Sequence, residues 1–556
     1  MDLVVFEYDQ GYVLENFCRG EFDFVDGVSE VAETAFFRYI GAHRILGKLA
    51  ETYPSPRDKE EVPLWMFLAS NLSMRLHGVH SFHAYPYVIR CGGMLNAFGP
   101  EVAHKSKHPS TGDVTLSCSG FNDKNTYDRQ TPCDHDYLRK FARDTESDRL
   151  QRWFNRDVMR ILKQHHAFDK EGFFLGDASY LFVPDNPNYE GSVRMLFDEH
   201  NHPVDSKTVT AEQKARCQWK RCYKLVSLLH TNRAGDYFLF AGLSVVAGNA
   251  HEGPVLWRLV DEFVEAVGKG VMKRLILDRG FIDGEQMGRC KEQHGVEVLI
   301  PLKKNMDIYE DVLGLVRNGK IQFSPYTSPL PKPPVDAKPG HVPREIRRRE
   351  EKRQRTLNKK KAAMPPPPPD KVVVSDEVGC LSDFRTWNTC PIPLSVAVNR
   401  ERFADRHEEI WMLADTKNLT DGAVSRDDYR LRTGIEERYR QLKCFIDLTN
   451  FHSRTFALVC NQVIFVALAY SLMQLYLLRI KRPELNRRTQ PQLRNQLMPT
   501  DSVIIIYYNN RFALLSPMQY TELLLTLSGE AGKKILEKVR RLRRELEEEL
   551  KLVRAP

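Results

Sequence analysis

The sequence has no Cys-x-x-Cys pair, and its eleven cysteines are scattered between Cys18 and Cys460. An odd number of dispersed cysteines in a chain of 556 residues indicates reduced thiols and a cytosolic compartment rather than a disulfide framework. Cys217, Cys222 and His230 resemble half of a zinc site, but their spacing is irregular and a second half is missing. We therefore expect no zinc at these residues.

The sequence also lacks a secretion signal and a long uninterrupted apolar run. Its first ten residues contain no basic residue ahead of an apolar core, so no signal peptide is predicted. Residues 456–480 are the most apolar stretch, but their longest uninterrupted run, 463–473, is shorter than a bilayer span. This stretch predicts a helix buried in a protein core, and no membrane partner is expected.

Positive charge is concentrated in one segment of the chain. The formal net charge is +8, and residues 338–361 alone hold 11 Lys and Arg against 3 Glu. Five consecutive prolines follow at 365–369. The composition predicts an extended arm without a core of its own, for which a polyanion partner and a solvated linker both remain open.

The pattern of apolar and polar residues changes several times along the chain. The overall composition, 42% apolar and 28% charged, is that of a globular protein. Changes in periodicity predict a mainly helical N-terminal domain, two parts of an α/β core, a β-rich insertion between them and a charged C-terminal helix. The corresponding ranges are 1–165, 166–304 with 427–485, 305–426 and 486–556.

Two aspartates follow apolar runs in the predicted α/β core. Asp177 ends the run 173–177, and Asp278 ends the run 274–278. The order of three strands followed by strand–helix units predicts a mixed sheet with helices on its faces. We expect both aspartates at the carboxyl ends of strands, where open α/β sheets place ligands.

Downstream, four polar or reactive residues share one side of a predicted helix. Tyr429, Arg432, Glu436 and Lys443 fall within roughly 60° of one another at helical spacing. The predicted buried face beside them consists of Ile435, Tyr439, Leu442 and Ile446. Glu437 competes with Glu436 for a role, but its helical angle lies far from the other three residues.

Two aspartates and a glutamate without a Cys or His cluster predict a site for hard cations. Such sites hold Mg²⁺ or Mn²⁺, which take substrate phosphate oxygens as further ligands. A pair of ions can activate a water or a 3′-hydroxyl and stabilise the leaving oxygen of an in-line displacement.

These residues carry a family resemblance. The chain resembles a DDE transposase of the prokaryotic insertion-sequence kind, which implies a ribonuclease H-like core interrupted by a β-rich insertion. The matching pieces, in the family's order between about 165 and 480, are residues 176–179, 248–252, 277–281, 298–305 and 429–443. One departure is Thr433, where the family usually has Trp; since Thr433 lies off the stripe, we expect altered packing there.

The resemblance implies roles for individual residues. Asp177, Asp278 and Glu436 would be the catalytic metal ligands, for two Mg²⁺ or Mn²⁺ ions. Tyr429, Arg432 and Lys443 would hold the DNA end near the cleavage point. Lys303 and Lys304 are candidates for phosphate contact or for a solvated strand end. His251 and Glu252 are candidates for assisting the site or for helix capping.

The implied function is metal-dependent cleavage and strand transfer of an insertion element by cut-and-paste transposition. The implied partner is double-stranded DNA, both terminal inverted repeats and target, bound by a homodimer or larger assembly in the cytoplasm near the nucleoid. Two alternatives remain open at this point: a ribonuclease H-like endonuclease without strand transfer, and a domesticated transposase that only binds DNA.

Overall fold

A mixed sheet of 11 strands forms the centre of the molecule. The structure is a computed structural model, and it describes residues 7–28, 31–57, 63–85, 94, 104–107, 114–117, 134–235, 237–328, 369–445, 448–481, 503–509, 511–527 and 529–554. The predicted basic arm, residues 338–361, lies outside the described residues, as do the first four of the five prolines that follow it.

The strands are numbered in chain order. They are β1 Glu7–Tyr8, β2 Phe24–Val28, β3 His104–Lys107, β4 Val114–Ser117, β5 Phe173–Val183, β6 Val193–Phe197, β7 Pro203–Val204, β8 Gln218–Thr231, β9 Phe238–Ala247, β10 Arg274–Ile276, β11 Glu297–Pro301, β12 Phe323–Pro325, β13 Val373–Phe384, β14 Leu394–Phe403, β15 Glu408–Asp415, β16 Val503–Tyr508 and β17 Arg511–Leu515.

The α-helices follow the same order. They are Gln10–Cys18, Val31–Ala42, Ile45–Thr52, Leu64–Leu76, His135–Asp144, Ser147–Trp153, Met159–Gln164, Ala211–Arg216, Glu252–Val267, Gly284–Arg289, Asp307–Arg317, Ala423–Tyr429, Thr433–Phe445, Phe456–Arg479, Pro517–Thr526 and Gly529–Arg554.

The central sheet runs β12-β13-β14-β15-β11-β10-β5-β8-β6-β7, and β9 pairs with β8 off this path. Its middle strands β5, β10 and β11 are parallel. β10 is buried at every position, which explains why its sequence is apolar at consecutive residues rather than alternating. The helix Glu252–Val267 covers the sheet with Leu256, Val260 and Phe263. The predicted α/β, ribonuclease H-like mixed sheet with flanking helices is confirmed.

The predicted insertion is β-rich, and it extends the central sheet. β13, β14 and β15 form an antiparallel series, and β15 pairs with β11 through Leu299 and Asp415. Because this pairing continues the hydrogen-bond ladder, the insertion and the core share one sheet.

The N-terminal region is mainly helical, as predicted. Its helices pack against the long helix Phe456–Arg479: Asn71 Nδ2 donates to Asn461 Oδ1 at 3.2 Å, and the Trp153 and Phe465 rings are 6.3 Å apart. Trp153 and Phe465 belong to the same hydrophobic cluster as the central sheet. The boundary expected near residue 165 therefore does not separate two cores.

The long helix Phe456–Arg479 has the length and apolar composition of a membrane span, with a mean hydropathy of 1.9 over its most apolar window. However, 89% of that window is buried inside the protein. Polar residues of the helix take part in internal hydrogen bonds; Ser471 Oγ, for example, accepts from the Phe240 amide at 3.0 Å. The prediction of a buried core helix is confirmed.

A second sheet joins the two ends of the chain in the order β1-β17-β16-β2. Its small core includes Phe17, Phe22, Ile506 and Ile535. Ile535 lies on the helix Gly529–Arg554 and is buried, so the first part of that helix packs on the body. The side chains of Leu546 and Leu550 lie outside the described residues.

Candidate active site

Strand register places the two aspartates side by side. Phe173 to Leu175 of β5 pair in parallel with Arg274 to Ile276 of β10, so the same register puts Asp177 opposite Asp278. Asp278 follows the end of β10, as predicted. Asp177 does not end its strand, because β5 continues to Val183 in an antiparallel pair with β8. Asp177 nevertheless lies just beyond the last β5 residue that pairs with β10.

The signature segment is divided, which differs from the single helix predicted for residues 429–443. The helix Ala423–Tyr429 ends in a 3₁₀ turn, Arg430–Arg432, before the helix Thr433–Phe445 begins. Gly434 allows this segment to approach the core, because a Cβ there would lie 2.6 Å from the Phe238 ring.

The predicted buried face of the signature segment is confirmed for three of its four residues. Ile435, Tyr439 and Leu442 are buried, and the side chain of Ile446 lies outside the described residues. Tyr439 also shares a hydrogen bond of 2.5 Å with Ser227 of β8. These contacts fix the rotation of the helix relative to the central sheet.

Arg432 brings the three acids together. Its Nη2 lies 3.5 Å from Asp177 Oδ1 and 3.3 Å from Asp278 Oδ2, and its Nη1 lies 3.0 Å from Glu436 Oε1. The side chains of Asp177 and Arg432 are 14% exposed, whereas that of Glu436 is 68% exposed. The three carboxylates therefore converge on one guanidinium at an opening of the surface.

The cluster carries more negative charge, on its three carboxylates, than the single guanidinium compensates. Burial raises the pKa of Asp177 to about 6, against the attraction of Arg432 and with added repulsion from Asp278 and Glu436. Burial opposes the charge of Arg432, but Asp177 and Asp278 outweigh it and raise the guanidinium pKa. One cation among three carboxylates leaves Asp177 short of positive charge.

Glu437 faces away from the cluster. Its carboxylate accepts from Arg440 Nη2 at 2.6 Å and Nε at 2.7 Å, and from Gln441 at 3.0 Å. The helical angle that favoured Glu436 over Glu437 therefore agrees with the geometry.

Lys443 and the pair Lys303 and Lys304 have different surroundings. Lys443 Nζ donates to Ser179 Oγ at 2.8 Å and to the Tyr180 carbonyl at 2.9 Å, so it ties the signature helix to β5. Lys303 and Lys304 are exposed after β11.

A cavity of about 800 Å³ opens beside the cluster. Its lining includes Asp278, Lys303, Lys304, Trp411 and Tyr429. Burial raises the pKa of Tyr429 to about 12, so this phenol keeps its proton and can donate a hydrogen bond. The cavity thus joins Asp278 of the cluster to basic side chains, Lys303 and Lys304 among them, and to aromatic rings that include Trp411 and Tyr429.

The remaining sequence candidates take structural positions. His251 caps the helix Glu252–Val267 by accepting from the Gly253 amide at 3.2 Å, and Glu252 pairs with the buried Lys224 at 2.5 Å. Cys222 and His230 lie eight positions apart on β8, roughly 26 Å at about 3.3 Å per residue. No zinc half-site can form from them.

Sequence reasoning missed a buried ion pair network beneath the site. Arg274 of β10 binds both oxygens of Asp415 at 2.6 Å and one oxygen of Asp428 at 3.0 Å. This network links the strand before Asp278 to the residue before Tyr429. Its members are far apart in the chain, and no local spacing signals such a contact.

The chemistry of the acids fits a divalent cation. Among the described residues, no three His, Cys, Asp or Glu side chains are close enough to hold a metal ion as they stand. The Arg432 guanidinium lies between the carboxylates and supplies the positive charge there. Three carboxylates with a raised Asp177 pKa nevertheless form a hard-oxygen donor set of the kind that Mg²⁺ and Mn²⁺ use.

The sheet, the paired aspartates and the helix-borne glutamate define the class of ribonuclease H-like α/β proteins. Residues 203–472 match the transposase DDE domain family, so this part of the chain carries a transposase DDE domain and supports a DDE transposase. The matched range contains Asp278 and Glu436 and begins after Asp177. No curated protein matches the chain. Members of the family act on DNA as polynucleotidyl transferases or nucleases and generally use divalent metal ions.

Proposed function

We propose that this transposase cleaves DNA at the ends of an insertion element and joins them to a target by cut-and-paste transposition. The observation that carries the proposal is the convergence of Asp177, Asp278 and Glu436 on one guanidinium. The cavity beside them presents Lys303 and Lys304, which suits a phosphodiester backbone.

Asp177, Asp278 and Glu436 are the proposed ligands of two Mg²⁺ or Mn²⁺ ions. When bound, the ions supply charge stabilisation and an activated oxygen nucleophile for in-line phosphoryl transfer. The protein's own part is to hold the carboxylates at one edge of a rigid sheet, which parallel pairing of β5 and β10 supports. Arg432 offsets part of the negative charge of the acids before DNA and metal arrive.

The residues proposed to act in DNA binding are Tyr429, Arg432, Lys443, Lys303 and Lys304. Lys303 and Lys304 are exposed and suited to phosphate, and the Tyr429 hydroxyl lines the same cavity. Lys443 acts on the DNA indirectly in this arrangement, by fixing the signature helix on β5. A homodimer or larger assembly on paired ends, in the cytoplasm, completes the proposal.

The proposal is tested by nicking of supercoiled plasmid in Mg²⁺ or Mn²⁺ and by joining of a 3′-ended donor duplex into a plasmid. Nicking with joining supports transposition. Nicking without joining favours the alternative of an endonuclease without strand transfer. Duplex binding without nicking in either ion favours a protein that only binds DNA, and it contradicts the proposed catalysis.

Changing Lys303 and Lys304 together to Ala is expected to weaken duplex binding. Two lost phosphate contacts lower the slope of log affinity against log salt by about 0.9 each. The melting temperature should stay within about 1 °C, since exposed substitutions change stability little. A salt titration of binding and a thermal melt measure both effects.

Lys443→Ala is the matched comparison. It removes two hydrogen bonds between the signature helix and β5, which costs stability on the order of 1–3 kcal/mol. An unchanged melting temperature with a reduced salt slope for Lys443→Ala would instead make Lys443 a direct phosphate contact.

A further inference from the structure

Three helices end at one place on the surface, away from the carboxylates. They are Val31–Ala42, Met159–Gln164 and Phe456–Arg479. The Arg479 guanidinium donates to the carbonyls of His165 and His166, which joins two of the ends. The His43 and His165 rings are 6.5 Å apart, which joins the third.

Basic side chains gather at these ends. We define the helix-end patch as His43, Arg44, Lys48, His165, His166, Arg479 and Lys481. Lys48 Nζ donates to Gln164 Oε1 at 2.8 Å, which places it against the end of the second helix. Most of the patch is exposed; Lys48 and His165 are half-buried.

The helix-end patch has no acidic counterpart within the described part of the chain. None of its members forms an ion pair with a carboxylate there, whereas nearby arginines do: Arg156 pairs with Glu265 at 3.0 Å and Arg160 with Asp157 at 2.9 Å. Burial and then the charges of Lys48, His43, Arg479 and His166 lower the pKa of His165, and no acid opposes them. The patch is therefore a region of uncompensated positive potential.

Cations at helix C-termini often serve only to complement the helix dipoles and cap carbonyls. Arg479 does this for His165 and His166. Arg44 and Lys481 do not, since neither side chain hydrogen-bonds to any described residue. Capping thus accounts for part of the charge and leaves the exposed remainder without a structural role.

The patch is connected to the signature segment by a short path. Gln474 Oε1 accepts from the Phe238 amide at 3.3 Å, and the Phe238 ring lies against Gly434, two residues before Glu436. Arg479 follows Gln474 by five residues, which is about 7.5 Å along the helix.

We propose that the helix-end patch binds the phosphate backbone of duplex DNA at a distance from the cleavage point. The proposal rests on the proposed function, and it adds a second contact surface to it. Positive side chains without acidic partners match the regular negative charge of a duplex, and contacts of this kind position DNA without reading its sequence. Anchoring the duplex at two places fixes its direction across the carboxylates.

The test uses the full chain with Arg44→Gln, Lys48→Gln and Lys481→Gln combined. A matched control removes the same charge from exposed positions elsewhere: Lys207→Gln, Lys214→Gln and Arg216→Gln combined. Binding to a random-sequence DNA duplex is titrated against salt for the wild type and both variants. Plasmid nicking in Mn²⁺ is followed in parallel.

The patch variant is expected to lose up to about 0.9 units of log–log salt slope for each of its three charges. Affinity at low salt should fall on the order of tenfold or more, with unchanged melting temperature. The control variant should keep the wild-type slope. If the triple variant does not fold, Lys481→Glu alone, just beyond the end of the helix Phe456–Arg479, is expected to lower the slope by about one unit.

Equal salt slopes for the wild type and the patch variant overturn the proposal. An equal loss of slope in the patch and control variants also overturns it, because net charge alone would then explain the effect. Tight binding of the wild type to anionic vesicles but not to duplex DNA would also overturn it. Failure of the wild type to nick DNA would count against the proposed function. The binding titration does not require nicking, so the two failures can be told apart.

Discussion

Replacing any one acid, by Asp177→Asn, Asp278→Asn or Glu436→Gln, is expected to abolish plasmid nicking while duplex binding survives. Each change removes a proposed metal ligand and leaves the basic surfaces intact. Loss of the metal withdraws several kcal/mol of transition-state stabilisation, a fall on the order of a thousandfold or more in rate. Nicking rates in Mg²⁺ and Mn²⁺, with binding titrations beside them, measure the two effects separately.

Glu437→Gln provides the matched control on the same helix. Its carboxylate faces Arg440 and Gln441, not Arg432, so nicking should stay within a few-fold of the wild type. Substantial nicking by Glu436→Gln in Mg²⁺, or complete loss in Glu437→Gln, would contradict the assignment of the helix-borne acid.

The part of this site that the sequence predicts is the part that depends on local patterns. The apolar run before Asp278 predicted a central strand, and β10 is buried at all its positions. Helical spacing predicted the buried side of the signature segment through Ile435, Tyr439 and Leu442. Both patterns reflect which side chains are buried, at every position of β10 and on one side of the signature helix, and the spacing of apolar residues records this directly.

The parts that sequence reasoning could not predict depend on contacts between distant residues. The continuation of β5 beyond Asp177 follows its pairing with β8, a strand more than 30 positions later in the chain. The sheet of β1, β17, β16 and β2 joins residues from both ends of the chain. The 3₁₀ turn at Arg430–Arg432 changes the angle between the Tyr429 and Glu436 side chains from that of a continuous α-helix. No residue type in the turn predicts it.

Arg432 shows the same limit at the level of one side chain. Its spacing from Glu436 predicted a shared helical face, and the two side chains are 3.0 Å apart. Its contacts with Asp177 and Asp278 come from strands more than 150 positions earlier and could not be read locally. The residue predicted as a phosphate contact is therefore also the counter-ion of the acids, and this has a measurable consequence for stability.

Arg432→Ala is expected to destabilise the metal-free protein by about 3 kcal/mol at pH 8, because it leaves the buried Asp177 carboxylate without its cation. The pKa of Asp177, about 6, already lies above its usual value of 3.8, so folding disfavours the ionised form. This cost is present in full above the folded pKa and disappears as the pH falls toward the unfolded value. The deficit of Arg432→Ala should therefore be smaller at pH 5 than at pH 8.

Urea unfolding of Arg432→Ala, Asp177→Asn and the double variant at both pH values measures this coupling. Asp177→Asn should offset much of the Arg432→Ala loss at pH 8, since the unpaired charge is gone, and Mg²⁺ or Mn²⁺ should stabilise Arg432→Ala but not the double variant. Arg440→Ala, which breaks an exposed pair with Glu437, is the control and should cost at most about 1 kcal/mol. A deficit for Arg432→Ala that is additive with Asp177→Asn and independent of pH would show that Arg432 stabilises the fold by packing, and not as the counter-ion of the acids.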